Sequence, residues 1–157
     1  MELSEAVRTS YITAGLTEDH IEFLCNLGQM IDCPAGTEIM RQFDVDRDLF
    51  ILAEGSAYIH GVLWEPLGRV KPGMTIGEVS FLDGRPRSGT VIATSDSKVV
   101  HLAGEAVLER MSHFPELRAQ ILWNISQVLC ARLRTANQHI VALMALEDAD
   151  LSSSGQS

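Results

Sequence analysis

The stretch from Ile76 to Val91 reads IGEVSFLDGRPRSGTV and carries the most specific pattern in the chain. The carboxylate of Glu78 precedes the guanidinium of Arg87 by nine positions, and Gly77 stands directly before the glutamate. An arginine fork can donate two parallel charge-assisted hydrogen bonds to an anion, and a glycine lets backbone approach closely. The segment therefore predicts a site for a small anion.

Short β-type runs, separated by turns that contain glycine, surround this stretch from Ile31 to about Leu102. Their spacing predicts a small antiparallel β-barrel or sandwich, with a tight hairpin connection at residues 53–56. The predicted strands are Glu38–Gln42, Leu49–Ala53, Ser56–Gly61, Val62–Trp64, Gly89–Ala93 and Lys98–Leu102.

Helical periodicity replaces the β pattern at both ends of the chain. Residues 16–27 predict a short helix with Thr17 as its N-cap, and residues 105–111 predict another. Pro115 suits a first helical turn and opens a long helix that we expect to end near Glu147. Residues 1–15 are then an N-terminal extension, residues 16–147 the domain, and the Ser-rich residues 148–157 a flexible tail.

Length and charge limit the function classes. A chain of 157 residues is long enough for one domain with a single core. Its net charge of −9 disfavours direct binding to nucleic acid. Residues 1–60 contain eleven acidic and three basic residues, whereas residues 61–134 contain seven and nine. Because salt screens distant charges, the middle of the chain can still attract a small anion.

Three cysteines, Cys25, Cys33 and Cys130, lack the spacing of a zinc site and predict reduced core thiols. The amino terminus has no basic leader and no apolar run reaches the length of a membrane span, so we expect a cytoplasmic protein without a membrane partner. The five histidines show no ligand spacing, and no nucleophile, base and orienting group can be assembled. We therefore expect no metal, no cofactor and no enzymatic activity.

The stretch from Ile76 to Val91 resembles the phosphate-binding cassette of cyclic-nucleotide-binding domains, as in catabolite-activator-like proteins and protein kinase A regulatory subunits. In that family a Gly-Glu pair opens a short helix, and a Pro-Arg or similar pair follows nine residues after the glutamate. The similarity extends to residues 34–36, 50–55 and 68–73, and covers roughly residues 16–145.

The resemblance implies a mainly β fold with flanking helices. Its centre is an antiparallel β-roll, a jelly-roll-like barrel, with a short N-terminal helix, a cassette helix and a long C-terminal helix. Relatives of the catabolite-activator type continue into a helix-turn-helix after the long helix. This chain stops about ten residues after that helix, so we expect a stand-alone domain without a DNA reader.

The resemblance also implies the ligand, cAMP or cGMP, with a larger cyclic dinucleotide left open. Arg87 and the amides at the start of the cassette helix would hold the cyclic phosphate. Glu78 would accept a hydrogen bond from the ribose 2′-hydroxyl, and Ser88 would donate to the phosphate or the base. The whole predicted phosphate and ribose set is Gly77, Glu78, Val79, Ser80, Arg87, Ser88 and Gly89.

Base recognition in this family involves the long C-terminal helix, where Arg132 and Asn137 fall near the expected region. Ala136 has no polar group to offer, so Asn137 would supply selectivity. Two positions reduce the match to the family pattern, because Gly89 stands where Ala or Thr is usual and Ala136 offers the base no polar group. These departures favour an alternative function, a protein-interaction module that has kept the fold and lost nucleotide binding.

The long helix also predicts a partner. Its apolar residues form a heptad seam that could pack on the domain itself or form a homodimer, and Trp123 is a candidate core residue or interface anchor. The leading hypothesis is a sensor in which the nucleotide rearranges the long helix and so changes the dimer or the access of an unknown effector protein. The seam residues are Leu129, Leu133, Ala136, Ile140 and Leu143.

Overall fold

The computed structural model describes residues 1–155. The chain divides into two compact units, residues 1–124 and the segment that begins at Ile125. The first unit contains all the strands, and the second consists of the continuation of the last helix. The strands are β1 (Gln29–Cys33), β2 (Glu38–Met40), β3 (Leu49–Glu54), β4 (Ala57–His60), β5 (Pro66–Val70), β6 (Thr75–Ile76), β7 (Thr90–Ala93) and β8 (Ser97–Leu102).

The eight strands form two four-stranded sheets in the orders β1-β8-β3-β6 and β2-β7-β4-β5, and all the pairings are antiparallel. Alternate side chains of a strand point to opposite faces, so both sheets can contribute one face to a common core. The core cluster includes Leu52 and Val99 of the first sheet and Val70 and Val91 of the second. This arrangement confirms the predicted antiparallel β-roll.

The predicted hairpin at residues 53–56 is wrong, because β3 and β4 belong to different sheets. Gly55 has a φ of +92°, and a Cβ at this position would overlap the side chain of Ser97. The glycine therefore marks the point where the chain crosses from one sheet to the other. A tight hairpin and such a crossing both require a positive φ, so the local sequence does not distinguish them.

The predicted strand at residues 62–64 is also wrong. This segment is the exposed loop between β4 and β5, in which the amide of Gly61 donates to the carbonyl of Glu65 at 2.9 Å. The apolar side chains of Val62, Leu63 and Trp64 point into solvent, which is why their β propensity misleads. Strands β1, β5 and β6 were not among the predicted strands.

The helices are α1 (Leu3–Thr9), α2 (Glu18–Leu27), α3 (Glu78–Asp83), α4 (Gly104–His113) and α5 (Pro115–Ser154), with a 3-10 turn at Tyr11–Thr13. Thr17 occupies the N-cap position of α2, although its side chain makes no capping hydrogen bond. Helix α1 lies within the predicted N-terminal extension, and its Ala6 and Val7 are buried. Seven residues are too few for sequence periodicity to indicate a helix.

Helix α5 ends at Ser154 rather than near Glu147. The hydroxyls of Ser152, Ser153 and Ser154 each donate to a backbone carbonyl three residues earlier, at 2.8–3.1 Å. These bonds give the serines partners within the helix, whereas the sequence predicts a tail. Residues 156 and 157 of that predicted tail lie outside the described residues.

The cysteines are free thiols in three different environments, which corrects the prediction that all of them lie in the core. Cys33 is buried, Cys25 is half-buried and Cys130 is exposed. Burial raises the pKa of the Cys25 and Cys33 thiols. Within residues 1–155, no helix combines the length and the apolar character needed to cross a membrane.

Gly104 provides a direct test of the packing between α4 and the loop before β3. A Cβ at Gly104 would overlap the backbone carbonyl of Arg47, which a rotamer change cannot relieve. We expect Gly104→Ala to lower the free energy of unfolding by about 1–3 kcal/mol, measured by chemical denaturation. Gly68→Ala is the matched control, because a Cβ there meets no atom within 4 Å. Equal denaturation midpoints for the two variants would contradict this packing.

Candidate functional site

The cassette helix α3 is bounded by two glycines in the left-handed conformation, Gly77 with a φ of +96° and Gly84 with a φ of +68°. A Cβ at Gly77 would lie 2.6 Å from Nη1 of Arg87 and 2.6 Å from the carbonyl oxygen of Asp48. Glycine is thus required at position 77 both by its dihedral angle and by the approach of the arginine. The sequence Gly77-Glu78 positions Arg87 as well as opening the helix.

Arg87 is among the most deeply buried side chains of the protein, with 1% of its surface exposed. Its Nη1 donates to the carbonyl of Gly77 at 3.1 Å, and its Nη2 donates to the carbonyl of Asp48 at 2.7 Å. Nε donates to Oδ2 of Asp46 at 3.3 Å, and Nη2 also donates to Oδ1 of the same carboxylate. The buried guanidinium is therefore held by one ion pair and two carbonyls.

The loop between β2 and β3 brings Asp46 to this position. The amide of Phe43 donates to the carbonyl of Arg87 at 2.9 Å, and the amide of Arg87 donates to the carbonyl of Asp44 at 2.9 Å. Two backbone bonds thus fix the loop against Arg87. Oδ1 of Asp46 also accepts from the amide of Asp48 at 3.0 Å, which orients the carboxylate towards Arg87.

Asp48 connects the site to two other elements. Its Oδ2 lies 2.7 Å from Nε2 of His101 on β8, and its Oδ1 accepts from the amide of Gly104 at the start of α4 at 2.9 Å. Burial alone would raise the pKa of the Asp48 carboxyl. The bonds from His101 and Gly104 and the charge of Arg87 outweigh burial, so the pKa of Asp48 lies below its usual value.

Arg47, between Asp46 and Asp48 in the chain, binds the C-terminal end of the cassette helix. Its Nε and Nη2 donate to the carbonyl of Phe81 at 3.0 and 2.6 Å, and Nη2 also donates to the carbonyl of Leu82 at 3.2 Å. Cations at a helix C-terminus satisfy carbonyls that lack an intrahelical partner. Residues 46, 47 and 48 thereby bind the cassette arginine, the end of the cassette helix and the start of α4, respectively.

A cavity of about 280 Å³ opens beside Arg87. Its charged lining is two guanidiniums, Arg41 and Arg87, and four carboxylates, and Glu78 is not part of its wall. Arg41 is already paired with Glu38 at 2.6 Å. The cavity as it stands has an excess of negative charge. The lining residues are Glu38, Ile39, Met40, Arg41, Asp44, Asp46, Asp48, Phe50 and Arg87.

The structure brings only part of the predicted cassette set into the interior. Glu78 is 2% exposed and Ser80 is buried, so both accompany Arg87 inside the first unit. Val79 is 41% exposed, and the side chain of Ser88 is on the surface. Neither of these two side chains lies in the interior with Arg87.

Gly89 has a structural explanation that the sequence does not reveal. A Cβ at this position would lie 2.7 Å from the carbonyl oxygen of His60 on β4. The glycine is therefore required by the close approach of two backbones at the start of β7. Its presence is accounted for without reference to a ligand.

The predicted base-region residues lie on α5. Arg132 is half-buried and Asn137 is exposed. Trp123 on the same helix is 63% exposed, which excludes the core alternative for this side chain. Over residues 1–155 no group of three or more His, Cys, Asp or Glu side chains is arranged to bind a metal ion.

Sequence reasoning missed Asp46, Arg47 and Asp48 as site residues. The signal available was the run Asp44-Val45-Asp46-Arg47-Asp48, which places three carboxylates and an arginine just before a buried strand. Charge runs in loops are usually solvated, so the run alone does not single out a partner for Arg87. Forty-one positions separate Asp46 from that arginine.

The link from Asp48 to α4 predicts a pH-dependent contribution to stability. Because the folded-state pKa of Asp48 is lowered, its contribution is complete above the unfolded-state value near 3.8 and is lost as the pH falls through the folded-state pKa. Asp48→Asn should lower the free energy of unfolding at neutral pH by about 1–2 kcal/mol, discounted because a third of the side chain is exposed. Chemical denaturation from pH 7 to pH 3 measures this difference.

The difference between the wild type and Asp48→Asn should shrink below about pH 4. Asp44→Asn is the control, since this side chain lies in the same loop and lines the same cavity but makes no hydrogen bond to Arg87, His101 or Gly104. A constant difference at every pH would show that the charge of Asp48 does not stabilise the fold.

Comparison with known proteins identifies the family. The model of the cyclic nucleotide-binding domain matches residues 30–114. The chain is 29% identical over 115 residues to the Pycsar effector protein BcPycTIR of Burkholderia cepacia, which covers 73% of this chain and 38% of that protein. It is 27% identical over 139 residues to the cyclic AMP receptor protein of Thermus thermophilus, with coverages of 86% and 62%.

The chain therefore spans less than two thirds of the length of these relatives. Among solved structures, the Thermus thermophilus catabolite activator protein superposes with a TM-score of 0.70 at 26% identity, covering 86% of this chain and 63% of that one. The family match begins within β1 and contains β2 to β8, the cassette helix and the paired Arg87 and Asp46. The chain belongs to the cyclic nucleotide-binding domain family.

Proposed function

We propose that the protein is a regulatory sensor that binds a cyclic nucleotide, cAMP or cGMP, at the cassette. The observation that carries this proposal is the buried Arg87 of the cassette, whose Nη1 and Nη2 donate to the backbone carbonyls of Gly77 and Asp48. A fixed guanidinium is a pre-organised hydrogen-bond donor for a phosphodiester, whose oxygens accept and which carries one negative charge. Family membership supports the ligand class.

Glu78 is proposed to bind the ribose. It is the first residue of α3, directly beside the glycine whose carbonyl accepts a bond from Arg87. An ionised carboxylate can only accept hydrogen bonds, and a ribose 2′-hydroxyl can donate one. The buried position of Glu78 supports a role inside the first unit rather than a surface ion pair. Ser80 and the backbone of Gly77 remain candidates for the phosphate or sugar.

The output of the sensor is proposed to pass through α5 to a second copy of the chain or to an effector protein. The seam residues Leu133, Ala136, Ile140 and Leu143 are all exposed, while Leu129 is half-buried. In the part of α5 that follows Ile140, four further large apolar side chains outside the seam are also exposed, which increases the apolar surface available for a partner. These are Val141, Met144, Leu146 and Leu151.

The names of the relatives support a role in which this domain binds the nucleotide and a different part of the assembly produces the response. One relative is called a receptor for cyclic AMP and another an effector protein, and in both this chain matches only a part. We propose that nucleotide binding changes the arrangement of α5. This requires the nucleotide to bind two arrangements of the protein with different affinities, because a ligand shifts a conformational equilibrium only by that difference.

A specific observation favours the second candidate function, an interaction module without nucleotide binding. The cavity beside Arg87 carries more carboxylates than guanidiniums, and Arg87 is already paired with Asp46. A domain that had lost its ligand could retain such a pair to stabilise the buried arginine. Titration with nucleotides separates the two functions.

Arg87→Ala should weaken the binding of a cyclic nucleotide by about 2–5 kcal/mol, roughly 30-fold to several thousand-fold, because it removes the charge that faces the phosphate. Isothermal titration calorimetry with cAMP and cGMP measures the change. Arg85→Ala is the matched control, since Arg85 carries the same charge two positions away and is exposed. Arg87→Lys tests whether the fork geometry matters beyond the charge.

Circular dichroism of each variant first establishes that it folds, because Arg87 also bonds Gly77 and Asp48. If the wild type and a folded Arg87 variant bind the nucleotide with equal affinity, Arg87 does not contact the nucleotide. Absence of binding by the wild type to every cyclic nucleotide would favour the interaction module. A 2′-deoxy analogue included in the same titration tests the contact proposed for Glu78.

Ile140→Asp should shift the protein towards the monomer in sedimentation equilibrium, because a carboxylate in an apolar seam must be desolvated when two helices pair. Gln138→Asp, an exposed position of the same helix outside the seam, is the control and should leave the association unchanged. Saturating nucleotide should alter the association constant of the wild type. A monomeric wild type with and without nucleotide would contradict the dimer.

A further inference from the structure

We infer that the junction between α4 and α5 holds an anion site separate from the cassette, in which Arg110 binds the carboxylate of a small monocarboxylic acid with an apolar body. A cavity of about 260 Å³ lies at this junction and shares no lining residue with the cavity beside Arg87. The inference does not depend on nucleotide binding. The lining residues are Phe23, Ala106, Glu109, Arg110, His113 and Phe114.

Two aromatic rings hold the guanidinium of Arg110. Its central carbon lies 4.6 Å from the centre of the Phe23 ring on α2 and 4.5 Å from the centre of the Phe114 ring, between α4 and α5. The amide of Phe114 also donates to the carbonyl of Arg110 at 3.2 Å. The guanidinium is thus positioned before any anion binds, which reduces the conformational entropy lost on binding.

The ring of Phe114 is itself supported from α2. His20, which is 4% exposed, meets this ring edge-on with ring centres 4.9 Å apart. Nε2 of His20 lies 3.2 Å from Oε1 of Glu116 near the start of α5. The carboxylate of Glu116 therefore has its own partner, and side chains from α2 help to fix both Phe114 and Arg110.

The N–H groups of Arg110 lack acceptors. In the part of the chain that the structure describes, Arg110 makes no hydrogen bond and no ion pair, and its Nε is buried. Arg47 and Arg87, in contrast, both donate to backbone carbonyls. A cation–π contact supplies no acceptor oxygen, whereas arginines inside proteins usually have one. Because Arg110 lines the cavity, an anion there can accept from its two Nη atoms.

The lining favours a singly charged carboxylate. Glu109 also lines the cavity, and its charge opposes a dianion such as a phosphate monoester. A carboxylate matches the arginine fork with two parallel bonds. Phe23, Ala106 and Phe114 offer apolar surface to the body of the ligand. The volume lies below the range of about 300–1,000 Å³ for drug-sized ligands, so the acid must be small.

Phenylacetate is the probe, and the backbone amide signal of Phe114 in proton–nitrogen NMR of the full chain measures its binding. The dissociation constant should be on the order of 1 mM, as for a ligand of about ten non-hydrogen atoms. 2-Phenylethanol has the same ring but no carboxylate and should bind at least about tenfold more weakly. Equal affinities for the acid and the alcohol, or no shift with the acid at about ten times that concentration, would overturn the inference.

Arg110→Gln should weaken phenylacetate binding at least about tenfold, because it removes the charge and the fork. Arg118→Gln is the control, since Arg118 is exposed on α5 and does not line the cavity, and it should change the affinity by less than about threefold. Ala106→Leu keeps Arg110 and both rings but fills the cavity, so it should also weaken binding.

Thermal unfolding verifies that each variant folds. If Arg110→Gln does not fold, Ala106→Leu decides the question, and an unchanged affinity of either folded variant would contradict the site. The acetylated dipeptide amide Phe-Glu, titrated in the same way, distinguishes a free acid from an acidic side chain of a partner protein. Phenylacetate binding at least as tight as that of the dipeptide supports the free acid, whereas tighter binding of the dipeptide would overturn it.

Discussion

A guanidinium inside a protein must have acceptors for its N–H groups, and the placement of Arg87 imposes this requirement on everything around it. The carbonyl of Gly77 can reach it only because position 77 has no side chain. The carbonyl of Asp48 reaches it because the loop before β3 is fastened to the backbone of Arg87 itself. The cassette and this loop are consequently joined by hydrogen bonds into one site, although they are far apart in sequence.

Residues 46–48 connect Arg87 to other parts of the first unit. Asp46 faces the arginine, Arg47 faces the end of the cassette helix, and Asp48 faces both β8 and the start of α4. Helix α4 packs closely on this segment, because a Cβ at Gly104 would overlap the carbonyl oxygen of Arg47. Arg87 is therefore bonded to a segment that also positions α3 and α4.

The cassette and the class of fold could be predicted from the sequence because their signals are local. Gly77, Glu78 and Arg87 stand within ten positions of one another, and short β-type runs separated by glycine-containing turns mark the strands that surround them. The pairing of Arg87 with Asp46 could not be predicted, because it depends on the path of a loop forty-one positions earlier. The crossing at Gly55 looks like a hairpin for a similar reason, since sheet membership is decided by distant strands.

Nitrogen-15 NMR of the arginine side chains tests the central claim most directly, with the Nε–H signal of Arg87 assigned from its absence in Arg87→Ala. If a cyclic phosphate binds the guanidinium of Arg87, this signal will move as cAMP or cGMP is added and will stop moving at saturation, while the signal of the exposed Arg85 stays unchanged. An Arg87 signal that does not move while calorimetry shows the nucleotide bound would contradict it.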